Sequence, residues 1–135
     1  MSSPVPLPAT ARLGMITDWA IEPDQLALIR HLFTSGVTEA DLVYSPERRS
    51  CTWPCPACSP AHAHWVDLVI HDCVLFLWRR KEIVERLRQT GSNIQLMISV
   101  PETWHSFSLG GSSLRHLLEM NVLLILEPVR DEESS

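Results

Sequence analysis

Positive charge is scarce in this chain. Its 11 Lys and Arg residues are outnumbered by 16 Asp and Glu, and the net charge is −5 over 135 residues. A nucleic-acid-binding domain neutralises phosphates with a concentrated basic surface, so this balance disfavours that class. The one compact basic run, Arg79-Arg80-Lys81, is followed by Glu82 and Glu85 and reads as the solvated face of a helix. Long apolar runs are missing as well. The longest, Cys73 to Trp78, is far too short to cross a bilayer, so no membrane partner is expected. The opening residues MSSPVPLP lack the basic start and apolar stretch of a secretion signal, and a cytoplasmic location follows as the expectation. There is no internal repeat and no dividing linker. The length suits one domain with a core large enough to fold without disulfides or metal.

Complete catalytic signatures are lacking too. Gly110-Gly111-Ser112-Ser113 has neither the lysine nor the spacing of a P-loop and suits a turn with a helix cap. His71-Asp72-Cys73 sets a base, a carboxylate and a thiol side by side, but neighbours on a strand point to opposite faces. Asp72 is better read as a helix cap and Cys73 as a small core residue. His31, His105 and His116 are scattered, and no carboxylate pair stands at a diagnostic spacing. A thiol enzyme built on Cys73 or Cys58 is the least supported reading, and no enzymatic activity is expected.

What is present is a clear alternation of strand and helix patterns. Residues 1–10 form an extended lead-in, 11–129 the single domain, and 130–135 a polar tail. Strands are expected at 11–20, 41–45, 64–70, 93–100 and 122–126, the last a continuous apolar run suited to a central position. Helices are expected from Pro23 to Phe33, from an Asp72 cap to Thr90, and from a Ser112 cap to Asn121. Gly91 and Asn121 suit left-handed terminal positions. The order predicts an α+β fold with one mostly antiparallel sheet, helices packed on one face, ferredoxin-like in part.

Residues 46–63 read as an irregular Cys/Pro-rich loop. Within it Cys55 and Cys58 have the CxxC spacing that lets two thiolates share a zinc ion, and Cys51, His62 or His64 can complete a tetrahedral set. Zinc is therefore the one cofactor the sequence offers, in a small structural or regulatory protein. The plainer reading is a surface loop with incidental or oxidisable cysteines. A redox CxxC is disfavoured because Pro60 interrupts the helix such chemistry uses.

Five tryptophans is a high count for this length. Core packing accounts for aromatic residues by default. Trp53 and Trp104 fall beside prolines and turn residues, where exposed tryptophan can anchor a protein interface. Together with Glu47 they are the expected contacts for a basic protein partner.

Three segments carry a resemblance. They are ARLGMITDWAIEPDQLALIRHLF, the stretch His64-Trp65-Val66-Asp67-Leu68 with the helix after it, and FSLGGSSLRHLLEMNVLLILEPV. In these the chain resembles a broad bacterial family of small domains, some of which look like immunity proteins that neutralise toxins. The Cys-rich insert departs from that pattern. The resemblance implies a protein-binding role with a cognate toxin as partner, and it implies no catalytic residue.

Overall fold

The computed structural model describes residues 9–56, 62, 64–101 and 108–129. Five strands and four helices follow one another as β1 (Thr10–Thr17), α1 (Pro23–Ile29), β2 (Val43–Tyr44), β3 (Ser50–Pro54), α2 (Val66–Trp78), α3 (Lys81–Gln89), β4 (Ser92–Pro101), α4 (Gly111–Met120) and β5 (Leu123–Val129). The strands form one sheet in the order β2-β3-β1-β4-β5. β1 is antiparallel to both neighbours, β2 is antiparallel to β3, and β5 is parallel to β4. It follows that β1 and β2 run the same way with β3 between them, and β3 and β4 run the same way with β1 between them. These are the two split crossovers of a ferredoxin-like β-α-β-β-α-β unit. α4 and β5 extend that unit beyond β4. The α+β expectation, with a mostly antiparallel sheet and a partial ferredoxin-like order, agrees with this architecture.

The period of two along β1 and β4 decides which face is covered. Ala11, Leu13 and Met15 of β1, and Ile94, Leu96 and Ile98 of β4, are buried on the same side. Cys51 and Trp53 of β3 pair with Met15 and Leu13 and join them. The helices pack on that side, with α2 over β1 and β4 and α3 over β4. The opposite face carries Arg12, Thr52, Gln95, Met97 and Ser99, with Ile16, Val43 and Leu123 exposed. Gly14 lies there under Met97. A Cβ at that glycine would stand 2.9 Å from the Met97 Cε, so the methionine occupies space that the missing side chain leaves open.

Four expectations about elements change. Residues 64–70 are not a strand, since α2 begins at Val66. Val66, Leu68 and Ile70 satisfy a period of two, but the run Val66, Val69, Ile70, Cys73, Val74 and Leu77 makes one buried helical stripe. The longer periodicity wins because it buries more side chains on a single face. The helix expected to reach Thr90 is instead broken at Arg79-Arg80, and Arg80 (φ −119°, ψ 27°) precedes a separate α3. β3 falls inside the segment expected to be irregular. β5 is an edge strand, and its apolar run reflects partial cover only, with Leu123 and Leu126 exposed.

Helix ends follow local chemistry. The Glu22 N–H donates to Gln25 Oε1 at 2.9 Å, and Gln25 Nε2 donates to Ser92 Oγ at 2.8 Å, so the start of α1 is tied to the start of β4. Gly91 (φ 87°) ends α3 and Asn121 (φ 57°) ends α4, both in the left-handed region expected for them. Gly110, and not Ser112, is the residue before α4, and Ser112 sits in its first turn.

Trp53 is the largest fully buried side chain of this core. Its Nε1 donates to the Leu32 carbonyl at 3.1 Å, and the Phe33 ring meets it edge-on at 5.7 Å. Trp53→Ala is expected to lower unfolding free energy by about 3–5 kcal/mol in chemical denaturation. Trp53→Phe should lose less, since it keeps most of the apolar volume and forfeits chiefly the indole hydrogen bond.

Candidate functional site

Two regions gather chemically distinctive side chains, one at each end of β1. At the N-terminal end, the Cys55 N–H donates to the Ala11 carbonyl at 2.9 Å and continues the β1–β3 ladder past Pro54. Cys55 is buried there, and its Sγ lies 3.5 Å from the Sγ of Cys73 on the inner stripe of α2. One residue earlier on α2, buried Asp72 meets His62 Nδ1 through its Oδ2 at 2.9 Å. Asp72 is thus not a helix cap. It is held in the body of α2, and the histidine satisfies its carboxylate.

The described members of the proposed metal set, Cys51, Cys55, His62 and His64, do not form one metal-holding cluster. Cys51 points into the core from β3, where burial pushes its thiol up to about 11 and Arg48 pulls weakly the other way. His62 is half-buried against Asp72, and His64 is exposed. Cys58 lies outside the described residues. Among the described residues no three Cys, His, Asp or Glu side chains form a set that could hold a metal ion. Cys51 therefore does not join Cys55, His62 and His64 as the spacing suggested. Strand geometry explains this, because Cys51 and Cys55 stand four residues apart along an extended chain, roughly 13 Å. The residue that does meet Cys55 is Cys73, from 18 positions further on. No local spacing rule reaches that far, and only the packing of α2 on β1 brings the two thiols together.

The His71-Asp72-Cys73 run is spread around a helix. His71 is exposed and approaches Ser113 Oγ at 3.5 Å, while Asp72 and Cys73 are buried. Consecutive helical residues diverge by about 100°. His116 stacks on Trp78 with ring centroids 4.0 Å apart, and Lys81 Nζ lies 4.3 Å from the Trp78 ring centre. Both are packing roles for residues near the α2–α3 junction.

At the C-terminal end of β1 the chain makes a short exposed loop. The Thr17 hydroxyl donates to the Trp19 carbonyl, which turns the chain out of the strand. The loop is fastened on either side of Trp19. The Thr17 N–H donates to the Arg49 carbonyl at 2.8 Å and the Ile21 N–H to the Arg48 carbonyl at 2.9 Å. Between these bonds Trp19 stands 76% exposed. Asp18 and Glu22 are exposed beside it, and the turn that supplies the two carbonyls carries exposed Glu47 together with exposed Arg48 and Arg49. Asp18, Trp19 and Glu22, with Thr17, Gln25 and Thr90, line a hollow of about 210 Å³. A shallow groove of about 420 Å³ on the open sheet face, lined by Ile16, Asn93, Gln95 and Leu123 among others, lies at the same end of the sheet.

Of the expected partner contacts, Trp53 is overturned. It lies in β3 with no exposed surface, because its parity places it on the helix-covered face. Glu47 is exposed, and Trp104 lies outside the described residues. Trp19 was missed because an expected strand of 11–20 gives it the same parity as Leu13 and Met15. The available signal was Thr17-Asp18, a pair that favours turns and ends the strand three residues sooner.

The raised Cys51 thiol has a pH consequence. The folded protein holds this proton to about 11, whereas an unfolded thiol releases it near 9.0. Above the unfolded value the unfolded chain binds fewer protons, so stability falls with rising pH across that window and is unaffected by this group below it. Thermal unfolding followed from pH 8 to pH 11 should show this decline, and Cys51→Ala should have a measurably shallower one. The chain matches no family model, no curated protein and no solved structure.

Proposed function

We propose that this chain is a non-enzymatic protein-interaction domain that docks a basic protein partner through the Trp19 end of its sheet. The observation that carries the reading is the presentation of Trp19. A large aromatic side chain is held out in solvent by backbone bonds on both sides, with exposed Asp18 and Glu22 beside it in the loop. Because the loop is fastened before any partner arrives, little ordering entropy opposes binding. Tryptophan is among the residues that dominate interface energetics, and its apolar ring gains most when a partner excludes water from it. Carboxylates around such an anchor repel acidic surfaces and steer basic ones, consistent with the net charge of −5. The neighbouring groove at Ile16 and Leu123 offers apolar area that widens the contact.

The specific form we favour is an immunity protein acting in the cytoplasm on a cognate bacterial toxin. An inhibitor of this kind needs a rigid scaffold and a complementary patch. The sequence resemblance of the β1–α1 and α4–β5 segments to immunity-like domains is the ground for that form.

The test is isolation of the tagged protein with its partner from its own host, then binding measured with purified components. Trp19→Ala is expected to weaken binding about 30-fold or more while leaving thermal stability unchanged. The double variant Asp18→Asn, Glu22→Gln should slow association and reduce its dependence on salt. Unchanged affinity in Trp19→Ala would remove this surface from the interface. A partner that is harmless when expressed alone would overturn the immunity reading.

A further inference from the structure

The sheet face that the helices leave open is poor in charge and rich in apolar side chains. Strand parity puts Ile16 of β1, Met97 of β4 and Leu123, Ile125 and Val129 of β5 on it, each half-buried or exposed. Among the five strands its charged side chains are Arg12 of β1 and Glu127 of β5 alone. A sheet that keeps one face in water normally turns polar residues outward. The solvent side of α3 shows the contrast, since that helix carries Lys81, Glu82, Glu85, Arg86 and Arg88. Scarce charge over apolar area is the composition of an interface core.

The two charges indicate what fits there. Arg12, Met97 and Ile125 share one rung across β1, β4 and β5, and Glu127 stands two residues beyond Ile125. A half-turn about an axis parallel to β4, midway between two facing sheets, keeps every height along the strands and exchanges the two sides of β4. Met97 then faces its own counterpart, and β1 of each copy lies over β5 of the other. Arg12 is carried over the Ile125 rung of the second copy, about 7 Å along the strand from Glu127. Facing sheets pack about 10 Å apart, so the pair falls within the combined reach of the two side chains and forms twice. Arg12 Nη2 donates to Thr52 Oγ1 at 2.9 Å, which lays the guanidinium along the sheet and leaves other N–H groups for a carboxylate. Two copies of net charge −5 repel each other, and a face with one charge of each sign is where they meet at least electrostatic cost.

We propose that the open sheet face is covered by a second copy of this chain, in a two-fold dimer of facing sheets held by two Arg12–Glu127 pairs. Strands β1, β3, β4 and β5, of 8, 5, 10 and 7 residues, give each copy roughly 500 Å² of flat area, or about 1,000 Å² in total. That is the lower bound of a specific interface and corresponds to a reversible dimer of micromolar affinity. The dimer goes beyond docking through Trp19. It confines the docking surface to the Trp19 loop by covering the groove at Ile16 and Leu123, and either reading can fail alone.

The experiment is sedimentation equilibrium of the reduced full chain across the micromolar range at low salt, which should show a monomer–dimer equilibrium. Arg12→Glu and Glu127→Arg should each weaken it about 10-fold or more, because each turns two attractions into two repulsions. The double variant carrying both reversals should regain the parent affinity, and Trp19→Ala should dimerise as the parent does. Thermal melts establish that each variant is folded. If a charge variant is not, Met97→Cys decides, since a short bismaleimide should then join two chains across the axis above the background of the parent chain. A chain that stays monomeric throughout would overturn the proposal, whatever else covers the face. So would a dimer that folded Arg12→Glu and Glu127→Arg leave unchanged, or one that Met97→Cys fails to cross-link.

Discussion

The domain depends on β1 being hydrogen-bonded along both edges. With antiparallel partners on either side, its register is pinned twice, and a slip of one residue would carry Ala11, Leu13 and Met15 onto the open face. Every other placement inherits that register. Cys51 and Trp53 face the helices because they pair with Met15 and Leu13, and the Ile94, Leu96 and Ile98 row faces them because it pairs with the same strand. The helices then have one apolar surface to cover, and the stripe of α2 from Val66 to Leu77 is long enough to span it.

The same constraint positions both candidate sites. Beyond the last bonded residue of β1, Thr17, the backbone is still held through Arg48 and Arg49, so Trp19 is projected from a fixed base. At the other end the ladder runs on to Cys55, which delivers a thiol to the underside of α2. A strand in the middle of a sheet is the most ordered part of such a fold, and side chains just past its ends share that order while escaping burial by the sheet itself. The exposed Trp19 loop lies at one end of β1 and the thiol pair at the other. One is open to solvent, and the other is buried.

Much of the fold was legible in the chain. Strong alternation in β4, the apolar stripe of α1 from Leu26 to Ile29, and the left-handed positions at Gly91 and Asn121 are local signals, and each matches the structure. Two of the errors share one origin. HWVDLVI satisfies a strand period over its own length, and only the continuation into Cys73, Val74 and Leu77 reveals the helix. Val122 to Leu126 is apolar enough for a central strand, yet among the described residues β5 has a neighbour on one side alone. Short windows report which residues avoid water and not how many neighbours a strand acquires.

The sites were less legible than the fold, for a related reason. The sequence alone determined the α+β class, the acidic balance, and the wealth of tryptophan and cysteine from which any site must be drawn. Which tryptophans are exposed, Trp19 and Trp65 among them, and which thiols meet were decided by tertiary structure. Trp53 is buried and Trp19 exposed because one lies within a paired strand on the covered face and the other lies past the last paired residue of β1. Cys55 meets Cys73 and not Cys51 because extended chain carries near neighbours apart, whereas packing of a helix on a sheet joins residues that are distant in sequence.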